Sequence, residues 1–148
     1  MENKKIVGNI DHIVFAVRDA KKAIDFFSEL LNTEFFEQLS QEQAEETGFR
    51  SFMSPGGVEI LEPSRPDSDL QKFLDKKGEG MYAIGFNVQD AGKAKARAEK
   101  MGIRIAGDVS IPMNAGPAGE FLVREIWLHP KDCFGVYSMF TQGNPYHP

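Results

Sequence analysis

The chain has 148 residues, a net charge of −5 and a single cysteine, Cys133. That length lets roughly 70% of the unfolded surface be buried, so neither a disulfide nor a metal is needed to hold the fold. No cluster of Lys or Arg interleaves with aromatics, which speaks against nucleic acid. No run approaches the ~20 apolar residues of a membrane span, and MENKKIVG at the start lacks the apolar core of a signal peptide. A lone cysteine fits a reducing cytoplasm. The expectation is a cytoplasmic protein.

In chain order, residues 10–17 alternate as a two-faced strand does. Ile13, Phe15 and Val17 share one face; His12, Val14 and Ala16 share the other. Asp19 is a good N-cap, and a helix follows to about Leu31. Its apolar residues Ala20, Ala23, Ile24, Phe27, Leu30 and Leu31 recur at helical spacing and should cover the Ile13/Phe15/Val17 face. Residues 33–39 read as a strand, the polar stretch 40–47 as an exposed loop, and 49–53 as a strand. Pro55-Gly56-Gly57 marks a turn before the strand Val58-Glu59-Ile60-Leu61. Residues 67–77 form a short connecting helix ended by Gly78 and Gly80.

The plan then repeats. A shift of 71 residues lays Ile13, Phe15, Val17, Asp19, Ala20, Lys22 and Ala23 on identical residues, while His12 falls on Ala83. Residues 82–88 are a strand, Asp90 caps a helix to about Met101, and 103–109 are a strand. A Gly/Ala/Pro loop over 112–119 is either a lid or a plain surface loop. Strands follow at 121–128 and 135–141, with a frayed tail from Gly143. The chain is thus one domain over 1–148, with module one at 9–63, a linker helix at 64–79 and module two at 80–142. Neither module has two full layers of its own. The predicted fold is α+β: two βαβββ modules forming a curved mixed sheet around a cavity.

His12 stands on the face left open by the first helix, and Glu59 lies in the strand Val58–Leu61. In one curled sheet the two would point into a single cavity, fit for acid/base work or a divalent metal. The bland alternative is a hydrogen-bonded histidine and a rim glutamate. Matching Val58-Glu59-Ile60 to Ser138-Met139-Phe140 makes Met139 the counterpart of Glu59. A metal would therefore lack two donors, since a methyl group and a thioether do not serve a hard ion. Ala83, Gly85, Leu61, Val14 and Met139 would line the cavity, which suits a small organic ligand. Tyr137 either offers its hydroxyl to that ligand or packs, and Lys131 either meets a phosphate or is a solvated turn residue. Glu125 and Trp127 share a strand face. His129, before Pro130, is structural, and Cys133 has no neighbouring base in sequence to make it a nucleophile.

Ile10-Asp11-His12-Ile13, Val58-Glu59-Ile60-Leu61-Glu62-Pro63, the linker Lys72-Phe73-Leu74-Asp75-Lys76-Lys77-Gly78-Glu79-Gly80 and Leu128-His129-Pro130-Lys131 carry a resemblance. The chain resembles the vicinal oxygen chelate superfamily, nearest to its methylmalonyl-CoA epimerases. That resemblance implies a metal held by two histidines, a Gln or Glu, and a Glu. His12 and Glu59 match two of these positions; the second histidine and the last glutamate are Ala83 and Met139. A further acid/base glutamate of the family falls near Arg50 or Ser51. The expectation is an epimerase-like isomerase or lyase acting on an acyl-CoA or other carbonyl compound. His12 and Glu59 are its catalytic pair, no cofactor is required, and Tyr137, Met139, Ala83, Gly85, Leu61 and Lys131 contact substrate. A sequestering protein of the bleomycin-resistance type, and a metalloenzyme using His12, Glu59 and a further ligand, stay open. The resemblance also implies a homodimer.

Overall fold

The computed structural model describes residues 7–146. Its strands are β1 (Val7–Ala16), β2 (Phe36–Glu37), β3 (Phe49–Met53), β4 (Val58–Pro63), β5 (Gly80–Val88), β6 (Ile105–Asn114), β7 (Glu120–Leu128) and β8 (Tyr137–Gln142). Its helices are α1 (Ala20–Leu31), α2 (Gln41–Thr47), α3 (Asp69–Lys77) and α4 (Ala91–Lys100). Short 3-10 turns occupy 116–118 and 130–132. Two compact units divide the chain. One comprises Ile13–Tyr82 with Met113–Glu120; the other comprises the residues through His12, Ala83–Pro112 and Phe121 onward.

In the first unit β3 runs antiparallel to both β2 and β4, and β4 runs parallel to the end of β1, with Val14 opposite Glu59. Asp19 caps α1 by accepting from the Lys22 amide, and Glu62 takes the next orphan amide, that of Ala20, at 2.6 Å. The inner stripe of α1 then packs as predicted. Val17, Ala20, Phe52 and Ile60 form a buried cluster flanked by Phe15, Ala23, Ile24 and Phe27. Leu30 and Leu31, assigned to that stripe by spacing, are exposed instead. A twelve-residue helix presents more apolar positions than its sheet can cover.

Three local expectations change. Residues 41–47 are helix, not loop. Ser40 accepts from the Gln43 amide while the Gln43 side chain accepts from the Ser40 amide, a reciprocal cap that starts a helix with one buried apolar residue, Ala44. The strand expected over 33–39 shrinks to Phe36–Glu37. The loop expected over 112–119 is largely ordered. Strand β6 runs on to Asn114, whose amide donates to Gln38 O at 3.0 Å and whose side chain donates to Glu37 O at 2.9 Å. Gly116, at φ +59°, lies so close to the Phe36 ring that a Cβ would meet it at 2.6 Å. Only glycine combines that backbone with that approach.

The second unit repeats the scheme. Strand β8 runs parallel to β5 and antiparallel to β7. Asp90 caps α4 through the Lys93 amide, as Asp19 does through Lys22. Gly85 stands opposite Met139 in the position that Val14 and Glu59 hold in the first unit, so the sequence pairing of Met139 with Glu59 is met in the register. The α4 stripe is thin but effective: Ala91, Ala94 and Ala98 bring the helix close to Val88, Ile126 and Leu128. Cys133 packs at the edge of this cluster.

Arg124, which has no role readable from sequence, is bidentate to Asp108, and Lys95 joins from α4. These cations hold the Asp108 carboxyl down at about 2. The pairs lie at the surface, where ion pairs contribute little. Arg124→Ala should therefore move the thermal midpoint by less than about 2 °C, as read by calorimetry.

Candidate functional site

In the second unit, His12 is 2% exposed. Its Nδ1 lies 2.7 Å from Asp11 Oδ1. Strand neighbours ordinarily point to opposite faces, yet the Asp11 carboxylate reaches the ring beside it, a role the sequence analysis did not assign. The Asp11 carboxylate also accepts from the side-chain amides of Asn144 at 2.9 Å and Asn87 at 3.2 Å. Burial by itself would push the Asp11 carboxyl up. The hydrogen bond and charge of His12, then the bonds from Asn144 and Asn87, outweigh burial and hold it below the usual carboxylate range. The tail residue Asn144 was expected to fray, yet it is tied into this cluster.

The His12 ring lies over Gly85. A Cβ there would stand 2.5 Å from the ring Cε1 and 2.7 Å from Nδ1, so the missing side chain is what makes room for the imidazole. Around it on β5 and β8, Ala83 and Met139 are fully buried and apolar. Tyr137 stands opposite Ala83, and its ring meets Trp127 edge to face at 5.6 Å. Glu125 is buried opposite Thr141, whose buried hydroxyl has no hydrogen-bond partner among the described residues. His129 Nδ1 accepts from the Lys131 amide and caps the 130–132 turn, and Lys131 itself is exposed.

In the first unit, Glu59 is 7% exposed. The Ser51 hydroxyl lies 2.7 Å from Glu59 Oε1 and 2.9 Å from the Gln38 side-chain amide. The atom that Gln38 turns toward Ser51 is its Oε1, so the single hydroxyl proton of Ser51 faces two acceptor oxygens, one on Gln38 and one on Glu59. Leu61 is buried opposite Ser51 in the register. Arg50 points elsewhere: it is bidentate to Glu37, has Glu62 at 3.6 Å, and rests on the Phe52 ring. Arg50, Glu37 and Glu62 line a cavity of about 520 Å³ beside α2, to which Ser51, Glu59 and Leu61 do not contribute.

The sequence named His12 and Glu59 as candidates but not the side chains that hold them. Asp11 was legible as an acid beside a buried histidine. Ser51 lay eight residues before Glu59 without a spacing rule to connect them. Asn87, Asn144 and Gln38 gave no sequence signal, because their roles depend on strand pairing and on where the tail ends.

Two units, each with a helix against its strands and a buried polar group on β1 or β4, define a vicinal oxygen chelate protein of mixed α+β fold. The model of the Glyoxalase/Bleomycin resistance protein/Dioxygenase superfamily matches residues 11–118, and the chain belongs to that superfamily. It is 30% identical over 132 residues to the mitochondrial methylmalonyl-CoA epimerase of Homo sapiens, covering 88% of this chain and 71% of that protein. Among solved structures it is similar to a variant methylmalonyl-CoA epimerase of Streptomyces coelicolor in complex with 2-nitronate-propionyl-CoA. That match has 32% identity and a TM-score of 0.75, and covers 92% of this chain and 97% of that one. A methylmalonyl-CoA epimerase in complex with methylmalonyl-CoA and NH4+ matches with 31% identity and a TM-score of 0.77, covering 95% and 98%. The chain is therefore an epimerase-like member of the superfamily.

Proposed function

We propose that this protein is an isomerase or lyase that moves a proton beside the carbonyl of an acyl-CoA or a related carbonyl compound. His12 and Glu59 are its acid/base groups. The observation that carries this reading is the buried, oriented imidazole of His12, in a chain similar to epimerases seen in complex with CoA esters. One group takes the proton from the carbon next to the carbonyl, leaving an enolate, and a proton returns to that carbon or a leaving group departs. Tyr137, Met139, Ala83, Gly85 and Leu61 contact the acyl part, and Lys131 meets a phosphate of the carrier.

The metal implied by the family resemblance does not fit this donor set. A catalytic ion asks for about three protein ligands and an open position. Two of the four matched positions are the methyl of Ala83 and the thioether of Met139. Among the described residues, no three His, Cys, Asp or Glu side chains gather to hold an ion. Two copies of the chain pairing as a homodimer, in the cytoplasm, complete the proposal.

Incubation with methylmalonyl-CoA in deuterated water tests it. Wild-type protein, at concentrations near the substrate's, should wash deuterium into the carbon next to the carbonyl. His12→Gln and Glu59→Gln should each slow that exchange at least about 100-fold. No wash-in by the wild type removes the epimerase form of the proposal. Tight binding of an unchanged CoA ester would instead support a sequestering protein.

A further inference from the structure

We infer that Asp11 is the positioning residue for His12. Its carboxylate holds the imidazole as the Nδ1–H tautomer and so places the lone pair of the neutral ring on Nε2. Which nitrogen of a histidine carries the proton is set by the hydrogen bond made by the other. An ionised carboxylate accepts and cannot donate, so the 2.7 Å contact requires the proton on His12 Nδ1. Free imidazole side chains in water prefer the opposite tautomer, with the proton on Nε2. The cluster reverses that preference.

The carboxylate is itself fixed. Asn87 from β5 donates to Oδ2, and Asn144 from the chain's end donates to Oδ1, the oxygen that also receives His12. Both donors are neutral amides. They orient the anion without cancelling its charge, which is the arrangement that tethers a base instead of merely neutralising an acid. Gly85 supplies the room: a Cβ there would stand 2.5 Å from the ring Cε1, so the imidazole can keep this seat beside Asp11 only because residue 85 has no side chain. With Nδ1 held by Asp11, Nε2 is the nitrogen that carries the lone pair for proton transfer. This deepens the proposed function and rests on it for its catalytic meaning, but the tautomer is a property of the protein alone.

The test reads the tautomer first. The chain has three histidines. In a His129→Asn/His147→Gln background, ¹⁵N-labelled protein at fixed neutral pH reports His12 alone by two-bond ¹⁵N–¹H correlation. With Asp11 in place, Nδ1 should be the protonated, pyrrole-like nitrogen and Nε2 the pyridine-like one. Asp11→Ala should shift the pattern toward the protonated Nε2 form. A wild-type ring protonated on Nε2, or a tautomer indifferent to Asp11→Ala, overturns the inference. The wild-type reading decides by itself if the variant does not fold. In exchange assays Asp11→Ala should lower kcat at least about tenfold with KM changed less than about threefold; a kcat unmoved while the tautomer changes removes the catalytic meaning. Loss of exchange in the wild type, with a tautomer that still depends on Asp11, sinks the proposed function and leaves the tether standing.

Discussion

Gly85→Ala should destabilise the protein by about 1–3 kcal/mol, the usual cost of forcing a methyl into packed space. For a chain of this size that corresponds to a drop of roughly 3–10 °C in thermal midpoint. The new Cβ would stand 2.5 Å from Cε1 of His12 and 2.7 Å from Nδ1, closer than any non-bonded pair tolerates. The ring must leave its seat, and leaving it breaks the bond to Asp11. Deuterium exchange into the CoA ester should fall nearly as far as in His12→Gln, because a misplaced base is worth little more than an absent one. The backbone of β5 is not the difficulty, since Gly85 has no positive φ. A Gly85→Ala protein with unchanged midpoint and an unmoved His12 resonance would show that the imidazole does not sit where the structure puts it.

Replacing Asp11 by Asn should cost most at neutral pH and progressively less in acid. The folded Asp11 carboxyl titrates below its unfolded value of about 3.9. A group with a depressed folded pKa contributes stability that is complete above the unfolded pKa and lost as pH falls through the folded one. The wild-type advantage over Asp11→Asn should therefore hold from pH 7 to about pH 5 and shrink steadily below about pH 4. At pH 7 the loss belongs with broken buried networks, on the order of 2–4 kcal/mol, because His12, Asn87 and Asn144 all lose an anionic acceptor. Urea unfolding of both proteins between pH 3 and 7 measures it. A gap that stays constant across that range would mean that Asp11 does not titrate with the fold.

The two predictions touch the same ring from different sides, and they show what could be read in advance. The alternation of residues 10–17 was enough to place His12 and Val14 opposite the helix-covered face, and Val17, Phe15 and the α1 stripe pack accordingly. The repeat made Met139 the counterpart of Glu59, and the strand registers agree. Those successes share a cause: a period of two, a helical stripe and a capping Asp are written within a dozen residues of chain. The misreading of 40–47 has the converse cause. That helix has little apolar pattern, and its Ser40–Gln43 cap was outweighed by the polarity of Gln and Glu. Residues 112–119 read as a loop, a lid or a plain surface one, because of their glycines and prolines. Their order comes from Gln38, Glu37 and Phe36, about 75 residues away in the chain.

Local pattern by itself determined the strand–helix repeat, the α+β class, the two Asp caps and the identities of a buried imidazole and a buried carboxylate. Tertiary structure decided what holds them: Asp11 with Asn87 and Asn144 around His12, the bare backbone of Gly85 beneath its ring, and Ser51 against Glu59. The division follows from range. Periodicity and capping act between residues three or four apart, so they leave a trace in sequence. A carboxylate that gathers donors from residues 87 and 144 leaves none, because only the folded chain brings those side chains within 3.2 Å of Asp11.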